Sequence, residues 1–294
     1  MISVPQLLAA IMGVGVALGA GGAMLVMSTS RKKRLVCCAD YDDVREVPSR
    51  GTGKDDPIKG KSYAIDPSSP DIRKITKAFR WYSPQFSPKE VPRFYDLSSI
   101  TENPTAFRDV IDILVSRYSA PSSKPTHVVA FDARGFAIGA PLAVQLGVPL
   151  VLLRKSSKNP GILVQSEGYT KEYKEDHDER MCLRIDALKP GDSVILVDDL
   201  LATGGTVTAG LELVCNLGAT VLEVCCILIL SSFNPVSRIR ASHDGRFKDV
   251  SVFSIIEDSS IPPINCRDPV NWKERRRIID GERTDFIRST YNLS

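Results

Sequence analysis

The chain has 294 residues, 43% of them apolar and 25% charged, a globular composition long enough for one large or two small domains. A net charge of +3 against 73 charged side chains offers no footprint for nucleic acid. Seven cysteines without C-x-x-C spacing, and three isolated histidines, suit neither a zinc module nor a disulfide framework.

In chain order, Ile2 to Met27 carries no charge. As a helix it would run about 39 Å, enough to cross a hydrocarbon core of about 30 Å. Arg31-Lys-Lys-Arg34 follows at once and places the remainder on the cytoplasmic side of a single-pass anchor. Residues 1–30 are therefore expected to be a transmembrane anchor, with a wholly cytoplasmic protein as the alternative. Cys37-Cys38 beside such a segment fit palmitoylation or two unmodified thiols equally. Residues 31–71 are rich in Asp, Lys, Pro, Gly and Ser and read as a flexible linker.

From Ile72 to about residue 260, helical and strand patterns alternate. Asn103-Pro104 has the chemistry of a helix start, and Phe107, Ile111, Leu114, Val115 and Tyr118 continue it as an amphipathic helix. Val128–Phe131 reads as a strand, Ala137–Leu146 as a helix and Val148–Leu153 as a strand. Ser193–Val197, Val221–Leu230 and Val250–Ile256 read as buried strands. This alternation predicts a central parallel sheet flanked by helices, with the site at the carboxyl ends of its strands. Residues 261–294 turn Pro-rich and basic and are expected to form a surface extension.

The segment Val194-Ile-Leu-Val-Asp-Asp-Leu-Leu-Ala-Thr-Gly-Gly-Thr206 carries the most chemistry. A buried strand delivers Asp198 and Asp199 to its end. A turn of small residues, Ala202, Thr203, Gly204, Gly205 and Thr206, then opens a helix. The first amides of a helix lack internal partners and favour anions, and glycines let a phosphate approach the backbone. The loop suits a phosphate and the acids suit hydroxyls, a combination fit for a sugar phosphate.

This segment resembles the 5-phosphoribosyl-1-pyrophosphate motif of type I phosphoribosyltransferases, in the spelling of the adenine phosphoribosyltransferase family. The resemblance runs from about Arg80 to Glu257. It implies a type I phosphoribosyltransferase fold with a small hood, a homodimer, magnesium carried by the substrate near Asp198 and Asp199, and conversion of adenine and phosphoribosyl pyrophosphate to AMP and pyrophosphate in purine salvage. Phe131-Asp-Ala-Arg-Gly-Phe-Ala-Ile-Gly139 is similar to the family's pyrophosphate loop, with Arg134 on pyrophosphate and the Asp132–Ala133 peptide in cis. Arg154, Lys155 and Lys158, which open a long polar stretch ending near Glu179, match further pyrophosphate contacts. Glu172 in that stretch matches the proton-transfer residue, making Glu172, Asp198 and Asp199 the catalytic candidates. Val91-Pro-Arg-Phe-Tyr-Asp96 is similar to the base-recognition segment, with Phe94 stacking on adenine and Arg93 meeting it through the main chain. The Arg-Phe spelling, Arg80-Trp-Tyr-Ser and the two extensions resemble the trypanosomatid subgroup. Two alternatives stay open: a phosphoribosyltransferase for another base, and a membrane-tethered non-catalytic sensor of phosphoribosyl pyrophosphate or AMP.

Overall fold

The computed structural model describes residues 55–58, 62–87, 91–120, 124–155, 158–166 and 180–269. The expected anchor and Glu172 lie outside them. No helix among the described residues is long and apolar enough to cross a membrane.

The main sheet has nine strands. They are β1 (Asp55–Ile58), β2 (Ser62–Ile65), β5 (His127–Phe131), β6 (Leu150–Lys155), β7 (Leu163–Gln165), β8 (Met181–Arg184), β9 (Ser193–Leu201), β10 (Thr220–Ile229) and β11 (Val252–Glu257). A separate two-stranded sheet joins β3 (Arg80–Tyr82) to β4 (Phe94–Asp96). The order in the main sheet is β1-β2-β11-β10-β9-β5-β6-β8-β7. The six consecutive strands from β2 to β6 run parallel, with antiparallel pairs at both margins.

The helices are α1 (Pro70–Ala78), α2 (Ser98–Thr101), α3 (Pro104–Tyr118), α4 (Arg134–Leu146), α5 (Gly205–Asn216) and α6 (Pro235–Gly245). Asn103 caps α3 as its chemistry suggests, its Oδ1 accepting the Ala106 amide at 3.1 Å, with Pro104 in the first turn. Buried Ala106, Val110, Ile111, Leu114 and Tyr118 give α3 one apolar face.

Alternate strand residues feed two cores. Val128 and Ala130 join Ile195 and Val197 in one core with α1, α3 and α4, while Val129 and Phe131 join Val194 and Leu196 in the other with α5 and α6. Both faces are covered, which is why the central strands read as unbroken apolar runs.

Between α3 and β10 lies a hydrogen-bonded network centred on the buried Glu223 carboxyl. Glu223 accepts from Arg117 Nε at 2.7 Å, Tyr118 Oη at 2.7 Å and Ser251 Oγ at 2.8 Å. The Arg117 guanidinium also lies 3.9 Å from the centre of the Phe253 ring. A buried carboxyl group is tolerated only with its polar atoms satisfied, as here.

Two expectations need correction. The linker expected over residues 31–71 is not a linker throughout. β2 pairs with β11, β1 pairs with β2, and Ala64 and Ile65 are buried. The polar composition of residues 40–70 hid two strands of only four residues, too short for a periodic signal. The surface extension expected from residue 261 does not begin there. Ile261 is buried, and Asn265 Nδ2 donates to the Thr76 and Phe79 carbonyls at 2.7 and 2.8 Å, capping the end of α1. The central parallel sheet is as expected, with antiparallel pairs β1–β2, β6–β8 and β8–β7 only at its margins.

Candidate active site

The strand β9 ends in the acid pair. Alternation slips there: Val197 and Leu200, three residues apart, pack into the same core, so Asp198 and Asp199 mark the irregularity. Asp198 Oδ1 accepts the Asp199 amide at 2.9 Å. Both carboxyls are held above the ordinary range. Burial is the main cause for each. For Asp198 the charge of Asp199 adds to it, while for Asp199 the Arg134 guanidinium opposes it.

Arg134, the first residue of α4, brings Nη1 to 3.0 Å from Asp199 Oδ2. The contact is an ion pair without hydrogen-bond geometry, so this buried oxygen has no hydrogen-bond partner among the described residues. Helix α4 begins three residues before the position its apolar pattern suggested, so Arg134 sits at a helix start rather than in a turn. The Asp132–Ala133 peptide is cis. Gly135 permits the close approach of α4 to β9: a Cβ there would lie 2.7 Å from the Val197 carbonyl oxygen and 3.3 Å from Asp198 Oδ1.

The turn Ala202-Thr203-Gly204 leads from β9 into α5. Gly204 is the N-cap at φ +91°, a conformation costly for residues with a Cβ, and a Cβ would strike Ile239 Cγ1 at 2.7 Å. A glycine cap has no side chain to satisfy the first amides of Gly205 and Thr206. Those donors and the half-buried Thr203 and Thr206, which begin four residues beyond Asp199, have the chemistry an anion cradle needs.

Lys158 Nζ donates to Asp132 Oδ2 at 2.9 Å, tying the start of the polar stretch to the Arg134 loop. Arg154 and Lys155 end β6, which is separated from β9 by β5. Arg154 Nε is buried without a hydrogen-bond partner among the described residues. Arg134, Asp198 and Asp199 are thus brought together, Lys158 joins their neighbouring loop, and Arg154 and Lys155 are two strands away.

Beside the acids lies a cavity of about 320 Å³. Its wall includes Arg93, Phe94 and Tyr95 from β4 and the residues before it. Arg134, Leu200 and Ala202 come from the acid end, Leu230, Ser232 and Phe233 from the loop after β10, and Asp258 from the turn after β11. Arg93 stacks its guanidinium 4.9 Å from the centre of the Trp81 ring. Sequence reasoning located Arg93 and Phe94 but missed Tyr95, Leu200, Leu230, Phe233 and Asp258. The available signal was position: Leu230 and Asp258 immediately follow parallel strands, where sites in such sheets lie.

Comparison with known proteins agrees with this geometry. A family model described as a phosphoribosyl transferase domain matches residues 96–265. An adenine phosphoribosyltransferase of Acidovorax sp. is 43% identical over 150 residues, which cover 51% of this chain and 79% of that protein. The adenine phosphoribosyltransferase of Trypanosoma brucei, solved in complex with AMP, pyrophosphate and ribose-5-phosphate, superposes with a TM-score of 0.76 at 36% identity. The match covers 80% of this chain and 99% of that one. The enzyme of Leishmania donovani gives a TM-score of 0.75 at 40% identity with the same coverage. The likeness to these two trypanosomatid structures thus reaches well beyond Arg80 to Glu257.

Proposed function

This chain belongs to the adenine phosphoribosyltransferase family, and on that premise we propose that it converts adenine and 5-phosphoribosyl-1-pyrophosphate to AMP and pyrophosphate. The observation that carries the reading is adjacency. A largely apolar cavity with an aromatic in its wall shares Arg134 and Ala202 with the acid pair and the anion cradle. A base in the cavity, a ribose over the acids and a 5-phosphate on the α5 amides form one continuous nucleotide.

The chemistry follows from that placement. The anomeric carbon of the ribose lies between the cavity and the loop of Arg134. Its bond to pyrophosphate breaks, the electron pair leaves with pyrophosphate, and a ring nitrogen of adenine bonds to the same carbon and loses its proton. Asp198 and Asp199 hold the ribose hydroxyls and lie close to the ring as it gains positive character. Arg134, with Arg154, Lys155 and Lys158, neutralises charge on the departing pyrophosphate, as preorganised cations do most effectively in a water-poor site. Phe94 gives the base an apolar face, and Arg93 reads its edge through the main chain. Glu172 receives the proton of the attacking nitrogen.

The oxygen donors here suit a hard cation. Asp199 Oδ2 is buried with the Arg134 guanidinium beside it but no hydrogen-bond partner among the described residues, and burial holds both carboxyls above their ordinary range, so further positive charge would stabilise their anions. Magnesium entering with the substrate would supply Lewis-acid stabilisation of the pyrophosphate beside Asp198 and Asp199.

The uncharged stretch Ile2 to Met27 and the basic cluster after it support a membrane anchor with the catalytic domain facing the cytoplasm. The family supports a homodimer. Resistance of the full chain to alkaline carbonate extraction tests the anchor, and recovery of the intact chain in the soluble fraction would remove it. The function itself is tested by conversion of labelled adenine to AMP in the presence of phosphoribosyl pyrophosphate and magnesium. AMP formation is expected. Binding without turnover would favour a sensor, and turnover of a different base would favour another specificity.

A further inference from the structure

We infer that Asp258 selects the base, its carboxylate accepting a hydrogen bond from the exocyclic amine of adenine; this rests on the reading of the cavity as the base site. Asp258 opens the turn after β11, and it is the one acidic side chain among the described residues lining the cavity. The other charged groups there, Arg93 and Arg134, are cations. Its Oδ1 accepts the Ser231 amide at 3.3 Å, which ties the turn after β11 to the loop after β10 and orients the carboxyl group. No ion pair or further side-chain hydrogen bond engages Asp258 among the described residues, so Oδ2 keeps its full accepting capacity.

Position matters as much as charge. β10 lies between β9 and β11, which puts the turn of Asp258 two strand spacings, roughly 10 Å, from the strand carrying the acid pair. A ribose gripped by Asp198 and Asp199 would direct the far edge of an attached purine toward that turn.

The chemistry then discriminates. An ionised carboxylate accepts hydrogen bonds and cannot donate. The amine of adenine offers two N–H donors, so one can meet Asp258 while the other meets a main-chain carbonyl. The oxo group of hypoxanthine or guanine at the same position would place two acceptors face to face. A buried acceptor left unpaired, or opposed, is costly, and hydrogen-bonding sites discriminate by this means more strongly than apolar pockets do.

Asp258→Asn tests the assignment. The amide keeps an oxygen for the Ser231 amide and puts an N–H donor where Oδ2 was. Steady-state constants would be measured for adenine, hypoxanthine and phosphoribosyl pyrophosphate in wild type and variant. The expected result is a fall in kcat/KM for adenine of about ten- to a hundredfold. The ratio of hypoxanthine to adenine use should rise, with KM for phosphoribosyl pyrophosphate unchanged. An unaltered base ratio would overturn the role of Asp258. A parallel loss for adenine and phosphoribosyl pyrophosphate would overturn it too, since that is the mark of a disturbed loop. Wild type that ignores adenine and uses another base would instead remove the base assignment, together with the donor–acceptor match argued from it.

Discussion

The acid end of the site and the base end are built in opposite ways. The acids and the proposed phosphate cradle occupy one run of chain from Asp198 to Thr206. The base cavity collects residues from β4, the end of β9, the loop after β10 and the turn after β11. The first needs only local geometry, a strand, a glycine-capped turn and a helix start. The second exists only after the sheet has placed β9, β10 and β11 side by side and the β3–β4 hairpin stands over them. A local site should fail through chemistry when mutated, and an assembled site should fail also through remote packing.

The largest effect is expected at the local site. Asp198→Asn with Asp199→Asn removes the grip on the ribose hydroxyls without opening a cavity. Turnover should fall at least roughly a hundredfold while the protein remains folded. Steady-state kinetics beside circular dichroism checks both halves, and near-normal AMP synthesis would defeat the role of the pair.

The assembled site should respond to a residue remote from the chemistry. Asn265 satisfies the Thr76 and Phe79 carbonyls, and its neighbours hold Trp81: Trp81 Nε1 donates to the Pro262 carbonyl at 3.4 Å, and the Arg267 amide donates to the Trp81 carbonyl at 3.0 Å. Trp81 in turn carries the Arg93 guanidinium. Asn265→Ala leaves two buried acceptors unpaired, a cost of about 1–3 kcal/mol. For a domain of this size each kcal/mol lowers Tm by roughly 2–4 °C. A thermal melt showing no change would mean that residues 261–269 do not brace the cavity.

Phe94→Ala sharpens the division within the site. Loss of a stacking face should raise the KM for adenine about tenfold and leave that for phosphoribosyl pyrophosphate unchanged. Equal shifts in both constants would show that the two ends of the site are not separable.

The smallest effect concerns pH. The carboxyl of Asp198 is held well above its ordinary value of 3.8, so the folded chain retains a proton that the unfolded chain releases. Stability of the ligand-free protein from this group is therefore full below about pH 4 and declines as pH rises through the folded pKa. Asp198→Asn cannot ionise and escapes the decline. Its melting temperature should exceed that of wild type by a gap that opens as pH climbs from 4. A gap that narrows over this range would contradict the burial of the acid pair.

The sequence by itself determined the parallel α/β class, the strand–turn–helix of residues 194–206 and the capped start of α3, while Arg134, Arg93 and Phe94 became site candidates through resemblance to the family. The first three rest on neighbours in sequence, where side-chain periodicity, capping and turn chemistry act over a few residues. Only the tertiary structure decided that Asp55–Ile58 and Ser62–Ile65 are strands, since four-residue strands acquire their stability from β11 rather than from their own pattern. It alone revealed that Asn265 braces α1 and that Leu230, Phe233 and Asp258 face the same cavity as Phe94. Those contacts join residues far apart in the chain, and no local propensity encodes them, because their energy is released only when the sheet brings the strand ends together.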